Sequence, residues 1–197
     1  LEKVRHPVRY CLGNRLLDMS QLHVSGRVNQ VVGESMLELA DKVPGLTIVF
    51  IVARTHNLFL QMRIDPTRPG LIQYPGRLLE NPYAMVTSVC LLAFLDPEER
   101  SRVMQRYPVE EFADRRYAGR RAFLSVLDEI KESGIYSPQQ ESMRMAMAMP
   151  CYDHHSRLCG AMGVSVPPGS EPPTEFANAV SSALGAACLQ LSSKSAL

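Results

Sequence analysis

Apolar positions along this chain repeat with two periods, and the switches between them mark out its elements. Val28, Val31, Val32, Met36 and Leu39 recur every three to four residues, so about residues 27–42 form an amphipathic helix. A short helix carrying Leu12, Leu16, Leu17 and Met19 is expected before it, with Val24-Ser25-Gly26 as the break between the two. Pro44-Gly45 turns the chain into Leu46–Ala53, which is apolar on both faces as a central strand is. After Thr55-His56-Asn57, the residues Leu58, Leu60, Met62 and Ile64 alternate with Gln61 and Arg63, which predicts a half-exposed strand pairing with the first. Residues 65–82 are rich in Pro and Gly and read as loop with at most short strands.

Ala84–Leu95 reads as an apolar helix. Asp96-Pro97-Glu98-Glu99 then carries a helix-start signal: Asp at the cap, Pro in the first turn, Glu three residues on. That helix runs to about Tyr107, and the next, marked by Phe123, Leu127 and Ile130, ends at Gly134. Met143, Met145, Met147 and Met149 alternate strictly with Arg144, Ala146 and Ala148, a strand pattern. Asp153–Arg157 turns it back into Leu158–Val166, so the two strands form a hairpin. Pro167–Pro173 is a rigid loop, and Thr174 starts a closing helix with Phe176, Val180, Leu184, Ala187 and Leu191 on one face. The order predicts an α+β domain, an antiparallel sheet with flanking helices packed mainly to one side, of the GAF/PAS-like kind.

Composition narrows the class. A chain of 197 residues, 46% hydrophobic and 21% charged, can bury a core without staples. A net charge of +1 argues against nucleic-acid contact by the bulk of the chain. Five scattered cysteines, mostly in apolar runs, read as reduced, cytoplasmic thiols. The apolar run 46–53 is too short to span a bilayer, so no membrane partner is expected. The chain starts at Leu1, and a preceding N-terminal region is expected.

The candidate chemistry lies in missing side-chain volume. Ala146 and Ala148 share a face of the first hairpin strand, and Cys159, Ala161, Gly163 and Ser165 share a face of the second. If both lie on one side of the sheet, that side is either closely covered by a helix or left hollow for a small ligand. Arg144 falls on the same face, where a guanidinium suits a carboxylate; equally, it is a solvated strand end. Cys151, His154, His155 and Cys159 invite a zinc site or a Cys-His nucleophile pair. Their spacing is not a standard one, no orienting group accompanies them, and His154-His155 falls in a turn where polar residues belong. The Met stripe reads as core, and the pairs Arg115-Arg116 and Arg120-Arg121 as a solvated face. No cofactor motif is present.

Four segments in order resemble one family. Gly134-Ile135-Tyr136-Ser137 through Met145-Ala146-Met147-Ala148-Met149-Pro150-Cys151-Tyr152-Asp153 resembles the signature of IclR-type transcriptional regulators. Arg157–Pro167 resembles that family's strand ending in small-Val-Ser-Gly-Pro, Tyr83–Leu95 its Gly-Lys helix, and Tyr10–Leu17 its Tyr-x-Leu-Gly-x-Arg-Leu-Leu segment. The resemblance implies a non-enzymatic, cytoplasmic, GAF-like effector-binding domain at 44–197. It implies linker helices at 11–43, and residues 1–10 as the remnant of the wing of an N-terminal winged helix-turn-helix. It further implies a small-molecule effector, DNA binding through the missing N-terminal domain, and a homodimer or homotetramer.

Carried over by motif, the effector contacts fall on Val86 and Thr87, on Ser137 or Pro138, on Ala146, and on Gly163 and Ser165; Arg144 and Ala148 join them from the small-residue face. Ala146 replaces the family's cysteine, Gly163 stands where Ser is common, and Ser88-Val89 replaces Gly-Lys. These departures imply a larger, less polar pocket than one for the smallest oxoacids. They suit an aromatic or medium-sized carboxylate held by Arg144 or Thr87.

Overall fold

The computed structural model describes the backbone of residues 2–4, 9–11, 14–113, 117–138, 145–166 and 174–194, with side chains within 28–113, 117–138, 145–166 and 177–189. A hairpin of β1 (Glu2–Val4) and β2 (Arg9–Cys11) precedes α1 (Asn14–Lys42). The two helices expected here are one helix of 29 residues, about 43 Å long at 1.5 Å per residue. Gly26 inside it costs only about 1 kcal/mol relative to Ala. It keeps its N–H, and no proline falls within α1 to break the ladder.

The main sheet is antiparallel, in the order β5 (Ile72–Gln73), β4 (Asn57–Ile64), β3 (Thr47–Arg54), β8 (Leu158–Ser165), β7 (Ala146–Tyr152), with β6 (Arg77–Leu78) also on β4. Both expected hairpins, β3–β4 and β7–β8, are present. The pairing of β3 with β8, with Val49 opposite Gly163 and Thr47 opposite Ser165, welds them into one sheet.

Helices cover both faces of this sheet, not mainly one. On one face α1 and α6 (Thr174–Lys194) bury Ile48, Phe50, Val52, Met62, Ile64, Met147 and Met162. On the other, α2 (Val86–Phe94) and α5 (Arg120–Ser133) pack with Val49, Ile51, Leu58, Leu60, Ala148 and Ala161. Between them α3 (Pro97–Arg106) and the single turn α4 (Val109–Phe112) carry the chain from α2 to α5. Asp96 caps α3 by accepting from the Glu98 amide at 2.9 Å, and Gly134 ends α5 in the left-handed conformation at φ 75°.

Two irregularities decide which side chains reach which face. The β3–β4 register shifts between Phe50 and Ile51, leaving Gln61 as the extra residue. Leu58 and Leu60 therefore point to the α2 side, whereas Met62 and Ile64 point to the α1 side. The β7–β8 register shifts between Cys151 and Tyr152, leaving Cys159 extra. Cys159 packs with the α1–α6 core, away from the face of Ala161, Gly163 and Ser165 on which simple alternation put it.

Candidate functional site

The start of α2 is fixed by a buried tyrosine. Tyr83, 1% exposed, donates its hydroxyl to the Tyr107 carbonyl and stacks edge-on against Phe123 with ring centroids 5.0 Å apart. Burial raises its phenol to about 12, so the hydroxyl stays a donor at neutral pH. The Asn81 side chain accepts from the Tyr83 amide at 2.9 Å and donates to the Phe112 carbonyl at 2.6 Å. The helix that follows has no side-chain cap: Met85 occupies the cap position, and Ser88 Oγ bonds the Met85 carbonyl. Its first-turn amides are thus left to water or a ligand, at the positive end of the helix dipole.

Residues of that first turn, Val86 and Thr87, border a hollow of about 570 Å³ between α2 and the sheet. Its lining includes Val86 and Thr87 from α2, Ala146 from β7, Ser165 from β8, Thr47 and Val49 from β3, Leu60 and Arg63 from β4, and Arg77 from β6. The volume lies in the range of small-molecule sites, about 300–1,000 Å³. Arg63 Nη2 pairs with Asp65 Oδ2 at 3.1 Å, while its Nε is buried with no hydrogen-bond partner among the described residues. Asp65 is held below the usual carboxylate range, chiefly by the Thr67 amide and hydroxyl, with Arg63 adding a smaller pull. Arg77 stands exposed at the rim.

The residues anticipated from sequence divide into groups. Val86, Thr87, Ala146 and Ser165 come together around the hollow. Gly163 and Ala148 lie directly opposite one another in the β7–β8 ladder, beneath α2 and not among the residues that line it. A Cβ at Gly163 would overlap the Thr87 hydroxyl, so the glycine is there to let α2 close onto the sheet. The small-residue face does both things at once: its inner part is closely covered and its end at Ala146 and Ser165 is open.

Ser137 is exposed and away from the hollow. Its neighbour Tyr136 bridges to Ala148 through two 2.9 Å backbone bonds on the outer edge of β7. Arg144 lies outside the described residues.

Arg63 and Arg77 are the side chains that sequence reasoning missed. Arg63 sits in a strand of unbroken alternation, where it reads as a solvent-facing position. The extra residue at Gln61 turns it instead onto the α2 side, opposite Val49. Nothing in the sequence marks that bulge. Arg77 lies in the Pro- and Gly-rich stretch, and only the pairing of Arg77 with Leu60 brings it to the same rim.

The cysteine and histidine cluster does not assemble. Among the described residues no group of three His, Cys, Asp or Glu side chains is arranged to hold a metal. His154 and His155 stack on each other in an exposed turn, and Asp153 accepts from the His155 and Arg157 amides at 2.9 and 3.0 Å. Cys151 faces α6 instead. Burial, first of all, raises the Cys151 and Cys159 thiols, the latter to about 12, which disfavours a resting thiolate nucleophile.

A sheet sandwiched between helices, with a polar-rimmed hollow at the start of one of them, defines an α+β domain with one candidate ligand site there. The sequence model of the family described as bacterial transcriptional regulator IclR C-terminal matches residues 22–193, and the chain belongs to that family. It is similar to the Pca operon regulatory protein of Acinetobacter baylyi, 33% identical over 79 residues. That match covers 39% of this chain and 28% of the relative.

Solved structures share the fold. The C-terminal domain of the E. coli regulator KdgR superposes with a TM-score of 0.67 at 20% identity, over 87% of this chain and 99% of that one. The inducer-binding domain of Acinetobacter PobR, solved with 3-hydroxybenzoic acid, gives 0.64 at 19%, over 83% and 96%. Thermotoga maritima IclR gives 0.68 at 15%, over 96% and 77%. The chain is thus a C-terminal domain of the IclR type, a family of transcriptional regulators and not of enzymes. No described helix is long and apolar enough to cross a membrane.

Proposed function

We propose that this domain senses a medium-sized or aromatic carboxylate held in the hollow between α2 and the sheet. The observation that carries the reading is Arg63, turned onto the hollow's side by the bulge at Gln61, with a buried Nε that has no partner among the described residues. A carboxylate accepting from this guanidinium and from the uncapped first-turn amides of α2 would satisfy both. Arg77 adds a second positive charge at the rim, Thr87 and Ser165 offer hydroxyls, and Val49, Leu60 and Val86 give the apolar wall an aromatic ring needs. Arg63 and Thr87 take the anchoring role, and Ala146, in place of a larger side chain, leaves room for the ring.

One structural relative supports the ligand class, and the other relative is a regulator whose name states no effector. PobR was solved with 3-hydroxybenzoic acid, and the Acinetobacter baylyi relative is named as regulator of the Pca operon. In the whole regulator, α1 connects this domain to a winged helix-turn-helix on its N-terminal side. Copies of the chain assemble as a homodimer or homotetramer in the cytoplasm, and the effector shifts DNA affinity by its differential binding to two arrangements of the linkers. Residues 1–10, 11–43 and 44–197 then serve as wing remnant, linker and sensor.

The test is thermal denaturation with 3-hydroxybenzoate, 4-hydroxybenzoate, succinate and the amide of each. At a hundredfold excess over Kd a ligand adds about 2.7 kcal/mol, so one acid is expected to raise Tm by several degrees and its amide by far less. Stabilisation by none of the acids, or equally by acid and amide, contradicts the reading.

A further inference from the structure

The cysteines of the fold form a second feature that the effector site does not use. Cys151, in edge strand β7, and Cys188, in α6, bring their sulfur atoms to 3.5 Å. Cys151 is fully buried, and Cys188 is 8% exposed. Cys188 also lines a separate groove of about 570 Å³ between β7 and α6, together with Met149, Tyr152 and Leu189. The pair therefore has one sulfur beneath the surface and one at the floor of an open groove. Cys159 is held apart, its thiol donating to the Cys151 carbonyl at 3.1 Å.

Disulfide formation needs the two sulfurs at about 2.05 Å. The two sulfurs, at 3.5 Å, are already in van der Waals contact, so bond formation has about 1.5 Å left to close. We propose that Cys151 and Cys188 form a reversible intramolecular disulfide, a redox staple joining α6 to the edge strand. The oxidant is a low-molecular-weight disulfide of the glutathione type, admitted by the groove. The Cys188 thiolate attacks it, forming a mixed disulfide and releasing one thiol. Cys151 then loses its proton and displaces the second thiol. Two electrons and two protons pass from the pair to the oxidant.

Burial is the main cause of the raised Cys151 thiol, and it makes this second step slow. The staple thus responds to sustained oxidation and not to ordinary cellular thiol exchange. Once formed, it closes a loop of about 38 residues, which by loop-closure entropy shifts Tm upward on the order of 10 °C. The strand it fastens is the one whose Ala146 borders the hollow.

The experiment uses the whole 197-residue chain with Cys11→Ser, which removes a cysteine that could link two copies. The folded protein is incubated with excess oxidised glutathione, remaining thiols are alkylated in denaturant, and peptides are mapped by mass spectrometry. The expected result is one Cys151–Cys188 linkage, with Cys90 and Cys159 alkylated and a Tm increase that dithiothreitol reverses. Cys188→Ala, with Cys159→Ser as a matched control, keeps the test independent of folding: both should melt cooperatively when reduced, and only Cys159→Ser should retain the oxidative Tm shift. Four alkylated thiols after oxidation, a linkage through Cys159 or Cys90, or a linkage formed only in denaturant overturns the proposal.

Discussion

On the α1–α6 face of the sheet, Phe50, Met62, Met147 and Met162 fill the space with large side chains buried to 7% exposure or less. On the α2 face the same strands present Val49, Gly163, Ala148 and Ala146, and the cover is a helix that touches the sheet at Gly163 and leaves a hollow beyond it. One face is a scaffold and the other a receptor. The difference comes from the alternation of large and small residues along β3, β7 and β8, with the bulge at Gln61 deciding which β4 side chains join each side. Stability is therefore expected to reside with the first face and ligand affinity with the second, and substitutions can separate the two.

The largest effect expected is on the scaffold face. Phe50→Ala removes a ring packed beneath α1 and α6 and should lower unfolding free energy by about 3–5 kcal/mol. Urea denaturation measures this, and a loss below about 1 kcal/mol would show that this face does not carry the fold.

Next comes the receptor face. Arg63→Ala should weaken binding of the preferred carboxylate ten- to a hundredfold, or about 1.5–3 kcal/mol for a charge-assisted bond. Its stability should be nearly unchanged, because the Arg63–Asp65 pair is 42% and 28% exposed. Calorimetric titration beside a melting curve distinguishes this from general damage.

Gly163→Ala tests the boundary between the two kinds of cover. The added methyl meets the Thr87 hydroxyl, so α2 must move, at a cost of about 1–3 kcal/mol. Ligand affinity should fall together with stability, and a variant as stable as the parent would mean that α2 does not press on β8.

The smallest stability change is expected for Ala146→Leu, under about 1 kcal/mol, since the side chain enters the hollow and not a packed core. Ligand-dependent stabilisation should nevertheless disappear. If this variant still responds to every acid that stabilises the parent, the hollow is not the binding site.

Much of this arrangement is legible in the chain itself. A continuous apolar run marks β3, alternation marks β4, β7 and β8, Asp96-Pro97 marks the start of α3, and Gly134 marks the end of α5, because each rests on local chemistry that tertiary contacts did not override. The helix start at Val86 and Thr87 and the small positions Ala146 and Ser165 were likewise accessible as candidate site residues. What escaped depends on non-local register. A sheet covered on both faces keeps an alternating burial pattern even when a bulge exchanges the faces, so Leu60 and Met62 look equivalent in sequence while lying in different cores. Arg63 was hidden by the same exchange, and Arg77 by a loop whose pairing with β4 no local pattern encodes. The merger of two expected helices into α1 has a simpler origin: Gly26 weakens a helix without ending it.

The most direct test is a crystal structure of the chain with the acid that most raises its Tm. The predicted result is density for one carboxylate between the Arg63 guanidinium and the first-turn amides of α2, within about 3 Å of both, with the body of the ligand against Ala146 and Leu60. A ligand found in the groove beside α6, or a carboxylate turned to solvent with Arg63 still engaged only by Asp65, would contradict the account.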